Sequence, residues 1–370
     1  MIRIEKTTMK KWFDIAVLGI LVSLVACTKT ENAAAPEAIS YTVGRYATAT
    51  KALETITRDG ITSFSSKAFM HPMGADEAQD FFGPAGETIT YIPETQEWLP
   101  SHEYYWPKHP QSYLNFVSWY ANDGSANITP DTVTETQFQI LNRTVGANDR
   151  ILVADEAWKQ RANATTYYTS GVPTLFRHVL SRVKVNMKAT TLEDPEIANV
   201  TYEITIQDAK FEGVYQKGNM RLVNSALAET GTRKWYSTES ATYLWKTVAG
   251  SDANAIDFVD SNADVTATYS AILPERSFIP QALGDAIKLV ITYSVTTKSN
   301  GTITATESDI PATIVMNTIK NTSDVAITQW VPNKIYTYNI AINPVGKEIL
   351  LNPTVETEWT FADDINVTVE

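Results

Sequence analysis

The chain has 370 residues, 44% apolar and 19% charged, long enough to build more than one core of ordinary size. Its 30 basic and 42 acidic residues give a formal charge of −12, which argues against nucleic acid and anionic lipid surfaces as electrostatic partners. One cysteine excludes internal disulfides, so the fold must hold by burial and hydrogen bonding.

At the start, Lys10 and Lys11 precede the apolar run Ile15–Ala26, and the lone Cys27 follows at once. A positive region, a short apolar stretch and small residues before a cut describe a secretory signal peptide over residues 1–26. The run is too short to span a bilayer comfortably. Leu24-Val25-Ala26-Cys27 resembles the lipobox of bacterial lipoproteins. That resemblance implies acylation of Cys27 (a diacylglycerol on sulfur, with palmitate) and an outer-membrane lipoprotein. Without residues 1–26 the chain keeps 26 basic and 40 acidic residues, a net −14. Residues 27–38 are small, polar and proline-bearing, which suits a tether.

From residue 39 onward, apolar and polar residues alternate in short runs rich in Thr, Val, Ile and Tyr, punctuated by Gly, Pro, Asn and Asp. That is the strand signal. It is clearest at Val200–Ile206, Lys288–Val295 and Tyr336–Ile342. In the first run Val200, Tyr202, Ile204 and Ile206 share one face and Thr201, Glu203 and Thr205 the other, as a sandwich with one buried face requires. Helical patterns are scarce: Gly74–Phe82 predicts a turn or two, and Val172–Val183 is ambiguous. The expected fold is all-β, as two tandem β-sandwich domains over residues 39–170 and 171–370. The polar stretch Thr165–Pro173 marks the boundary.

Catalytic and metal-binding patterns are thin. The histidines are His71, His102, His109 and His178. His102, Glu103 and His109 match no usual ligand spacing. Asp260–Asp264 opens like a calcium loop but has Val265 where glycine is needed, and so reads as an exposed turn. No Gly-x-Ser-x-Gly elbow and no glycine-rich phosphate loop is present. The expectation is a protein that is not an enzyme, with no catalytic residue, cofactor or metal. Trp98, Tyr104, Tyr105, Trp106, Trp119 and Tyr120 read either as core or as a platform for sugar rings, with core favoured.

Several stretches together resemble the fimbrillin family, the lipoprotein-derived pilins of type V fimbriae. They are Thr50–Ala52, Ser63–Phe69, Trp98, Tyr104–Pro107, Leu114–Tyr120, Pro173–Val183, Trp330–Tyr338 and Val355–Trp359. The resemblance implies a transthyretin-like, Greek-key architecture and a place in a cell-surface fimbrium serving adhesion. In that family a protease cuts after a basic residue behind the first strand, and a neighbour's strand fills the groove by donor-strand exchange. Ile39–Val43 is the expected first strand here. The basic residues behind it are Arg45, Lys51 and Arg58; the resemblance places the cut at Lys51, with Arg45 as the alternative, unless all three are merely exposed loop charges. In the tail, Ile365, Val367 and Val369 alternate with polar residues and form a candidate donor strand or an edge strand of their own domain. The partners implied are other fimbrial subunits, the outer membrane through the lipid, and a host or bacterial surface ligand. The alternative function is a monomeric surface lipoprotein that binds glycan or host protein through the aromatic residues.

Overall fold

The computed structural model describes residues 38–45, 61–75, 77–109, 111–124, 126–155, 157–160, 171–223, 234–244, 263–265, 270–321, 323–345, 348–351 and 354–356. The first strands are β1 (Tyr41–Arg45), β2 (Ser63–His71), β3 (Gln79–Asp80), β4 (Glu87–Ile92), β5 (Glu97–Pro100), β6 (Tyr113–Asn122), β7 (Thr132–Thr134) and β8 (Gln137–Thr144). There follow β9 (Arg150–Ala154), β10 (Ala157–Gln160), β11 (Val172–His178), β12 (Ser181–Ala189), β13 (Val200–Val223), β14 (Lys234–Leu244), β15 (Ala263–Val265) and β16 (Ser270–Phe278). The last are β17 (Gln281–Ala282), β18 (Lys288–Ser299), β19 (Thr302–Val315), β20 (Gln329–Trp330), β21 (Ile335–Asn343), β22 (Glu348–Leu351) and β23 (Thr354–Glu356). The only helical element among the described residues is one 3-10 turn, Met316–Thr318. The chain is all-β, and the three clearest alternating runs lie in β13, β18 and β21. The helical turns expected over Gly74–Phe82 do not form; that segment supplies β3. The ambiguous Val172–Val183 becomes β11 and the start of β12. The expected turn near Asp264 is in part β15, which pairs with β13.

The first-half ladder runs β10-β6-β9-β11-β1-β5-β4-β2-β3, and a further pairing of β6 with β2 closes seven of these strands into a ring. β2 joins β4 through residues 63–66 and β6 through residues 65–71, so both of its edges are used. Inside the ring lie Tyr41, Phe64, Ala68, Trp98, Leu114, Phe116, Leu152 and Phe176. The opposite faces of β6 and β9 are also buried: Val117, Trp119, Ala121, Ile151 and Val153 pack with Phe138, Ile140, Met220 and Leu222. β6 therefore reads as a nearly continuous apolar run, as strands covered on both faces do.

β13 ties the halves of the chain together. Its first part pairs with β18, and its last residues, Lys217–Val223, pair with β8. β11, which follows residue 170, lies in the first ladder, while β7 and β8 extend the sheet of β13. That sheet faces a second one, β16-β12-β21 with β22 and β23 on the outer edge of β21, across a core of Val183, Val185, Phe211, Leu289, Ile291, Trp330 and Tyr338. β13 bends at Gly213, whose φ is +75° and whose backbone lies so close to Ala286 that a Cβ would sit 2.5 Å from the Ala286 carbonyl oxygen. Gly213→Ala is expected to destabilise the protein by about 2 kcal/mol or more in urea unfolding, from the left-handed backbone and the clash together. Gly284→Ala, where a Cβ would meet nothing within 4 Å, serves as the near-neutral control.

Candidate functional site

β1 lies in the ring between β5 and β11. It pairs parallel to β11, from Tyr41 opposite Val172 to Arg45 opposite Phe176. Its other edge meets β5 antiparallel at one residue pair, Tyr41 opposite Trp98. Ile39 N–H adds a 2.7 Å bond to the Tyr104 carbonyl, and Ala38 bridges Tyr105. The junction with β11 is close: a Cβ on Gly171 (φ +79°) would lie 2.9 Å from the Ser40 carbonyl oxygen. Glycine is what lets the two backbones approach there.

Alternation along β1 sends Ile39, Tyr41 and Val43 into the core, each at most 5% exposed. Burial of side chains of this size is worth on the order of 2 kcal/mol apiece, so the strand is firmly seated. The Tyr41 ring meets Phe64 and Phe116 edge-on, at 5.7 and 5.8 Å between centroids. Its hydroxyl donates to Ser66 Oγ at 3.0 Å, and Ser66 shares a 2.9 Å bond with Ser118. Burial pushes the Tyr41 phenol well above its ordinary range. The relay pairs the buried hydroxyls of Tyr41, Ser66 and Ser118 with one another, which is what allows a tyrosine at this depth.

A second polar group stands beside β1. The Glu87 carboxylate is largely buried, a placement that by itself raises its pKa, yet the carboxyl is held below its ordinary 4.5. Hydrogen bonds from Ser101, Tyr104 and His102 outweigh the burial. Tyr104 Oη donates at 2.7 Å and His102 Nδ1 lies 2.9 Å from the carboxylate, while Ser101 also bonds to it. Burial and the same carboxylate push the Tyr104 phenol up to about 12. Because the Tyr104 carbonyl holds Ile39, this cluster braces the entry of β1.

Of the predicted site residues, Arg45 ends β1, with its backbone opposite Phe176. Cys27, Lys51, Ile365, Val367 and Val369 lie outside the described residues. Trp98, Trp106 and Trp119 are buried in the cores, so they form no exposed platform; Tyr105 is 39% exposed. His109 accepts from Gln111 N–H at 3.2 Å. His102 faces Glu87, and no cluster of three or more metal-ligating side chains occurs among the described residues. Sequence reasoning missed the Tyr41–Ser66–Ser118 relay and the Glu87 cluster. The signal for the relay was present: Ser66 sits between Phe64 and Ala68 on the apolar face of β2, and Ser118 shares the inward face of Phe116.

The sequence model of a fimbrillin-like family matches residues 62–359. The fold is similar to that of a fimbrial protein from Bacteroides vulgatus ATCC 8482, at a TM-score of 0.55 and 16% identity, over 87% of this chain and 99% of that one. It is also similar to a candidate cell adhesion protein from Bacteroides uniformis ATCC 8492, at a TM-score of 0.46 and 14% identity, over 90% of this chain and 100% of that one. No curated protein matches the sequence.

Two measurements test how β1 is held. Tyr41→Phe removes the bond to Ser66 and is expected to cost about 1 kcal/mol in urea unfolding. Tyr41→Ala is expected to cost about 3–5 kcal/mol. Because the folded Glu87 carboxyl titrates below its ordinary value, its contribution is present above the unfolded carboxyl's pKa. It is lost as pH falls through the lower folded one. Glu87→Gln should therefore flatten the fall in melting temperature on acidification below pH ~4.5 relative to the parent protein, in a thermal series.

Proposed function

The chain belongs to the fimbrillin-like family, and from that premise we propose that it is a structural fimbrial subunit that polymerises by strand complementation at the cell surface. The observation that carries this reading is the position of β1. It fills a seam between β11 and β5, buries three side chains there, and connects to β2 only through residues 46–60, which contain Lys51. A cut at Lys51, or at Arg45 on the strand itself, would leave β1 joined to the rest by non-covalent pairing alone. Its departure would expose the edges of β11 and β5 and an apolar slot. An extended segment of a second copy, alternating as Ile365, Val367 and Val369 do, restores both. In this reading Cys27 carries the lipid that holds the precursor at the outer membrane, residues 27–38 are the tether, and adhesion is the task of the assembled fimbrium. In this reading the role of the chain is structural and not catalytic.

Trypsin treatment of the full chain is expected to produce a ladder of SDS-resistant oligomers on unboiled gels. The Arg45→Gln/Lys51→Gln/Arg58→Gln triple variant should stay monomeric under the same treatment. A cleaved protein that remains monomeric, or a ladder from the triple variant, overturns the reading. Removal of residues after Trp359 should abolish the ladder; a ladder that persists shows that the tail is not the donor.

A further inference from the structure

We propose that a cleft on the outer face of the ring, between β2 and the loop that follows β6, binds a neutral sugar ring, independently of whether the chain polymerises. The cleft, about 320 Å³, is of small-molecule size. It opens where β2 and β6 part: their ladder ends at Ser65 opposite Trp119. Continued, it would set Ser63 against Ala121, but the Ala121 carbonyl accepts from Ile128 N–H at 2.8 Å instead. On the other edge of β2 the Thr62 carbonyl accepts from Tyr91 N–H at 2.9 Å. Main-chain groups alternate in direction along an antiparallel strand, so those of Ser63 face the cleft.

The floor is a row across three strands. Thr88, Ser65 and Trp119 lie opposite one another on β4, β2 and β6. Ile89 and Phe64 point into the ring, so their neighbours Thr88 and Ser65 point out of it. Trp119 is held from below by Phe138, at 5.9 Å between ring centroids. The facing wall is the loop 127–130, pinned by the burial of Ile128 and by a bridge between Asn122 and Asn127. The cleft is therefore preformed.

The hydroxyls of Ser63, Ser65, Thr88 and Thr129 and the carboxamide of Asn127 line it, and among the described residues none of them has a hydrogen-bond partner. No acidic or basic side chain lines it among the described residues, and burial pushes the bordering Tyr120 phenol up, which keeps it neutral. A charged ligand would lose its hydration there with no counter-charge to replace it. Hydroxyls and carboxamides both donate and accept, as the hydroxyls of a sugar do. Trp119, Ala121, Ile128 and Pro130 supply apolar surface for the C–H face of the ring. An extended peptide has too little to pair with, since one residue of β2 offers about 3.3 Å of strand edge.

The test is a ligand-observed NMR titration of the full chain with galactose, glucose and mannose, with glucuronic acid and a short peptide of serine and threonine as controls. Saturable binding of at least one hexose is expected, unchanged by added salt because no ion pair forms. Thr88→Val and Asn127→Ala, both at exposed positions, should each weaken it about fivefold, as the loss of one hydrogen bond does, and keep the melting temperature of the parent. Absence of saturable binding by all three hexoses overturns the proposal. So does an affinity unchanged in both variants, equal binding of glucuronic acid, or binding of the peptide in place of the sugars.

Discussion

Backbone pairing at the two edges flanking β1 is the constraint on which the first half of the molecule depends. A strand edge left open presents a row of unpaired N–H and C=O groups, and the ring of seven strands leaves β11 and β5 no other partner in that seam. The two contacts are unequal. β11 runs alongside β1 for five residue pairs, whereas β5 meets it at one pair, supplemented by the bonds near Tyr104 and Tyr105. The side chains supply what the short ladder on the β5 side does not: Tyr41 is wedged between Phe64 and Phe116 and tied to Ser66.

That seam is stiffened from behind. Because β6 and β9 are buried on both faces, the wall of the ring opposite β1 is also one layer of the core shared with β8 and the end of β13. β13 then carries the connection onward, pairing with β8 at one end and β18 at the other, bent at Gly213 where Ala286 comes close. β1 is thus set in a frame in which β6 and β9 are covered on both faces.

Electrostatics follows a similar division. Three arginine–carboxylate pairs lie among these strands: Arg177 with Asp155, Arg182 with Glu275 and Arg143 with Asp149. Arg177 meets Asp155 through two bonds, at 2.7 and 2.6 Å, the bidentate geometry that fixes orientation as well as charge. Such partly buried pairs add modestly to stability, since desolvation offsets much of their attraction. They tie β11 to the end of β9, β12 to β16, and β8 to the turn before β9.

Much of this was legible in the sequence, and the rest was not, for reasons visible at single residues. Alternation at Val200–Ile206 and Lys288–Val295 marked β13 and β18, because a strand with one covered face has a period of two. At Leu114–Tyr120 the same reasoning weakened: Phe116 and Trp119 point to opposite faces, and both faces are buried. The serines at 66 and 118 look like surface residues in isolation and become core residues only because Tyr41 reaches them. By itself, then, the sequence determined the all-β class and the covered face of strands buried on one side, since these follow from local periodicity. Which edges meet, Tyr41 with Val172 and with Trp98, was decided by the tertiary structure alone. Main-chain hydrogen bonds are the same for every residue type, so the order of amino acids does not name their partner.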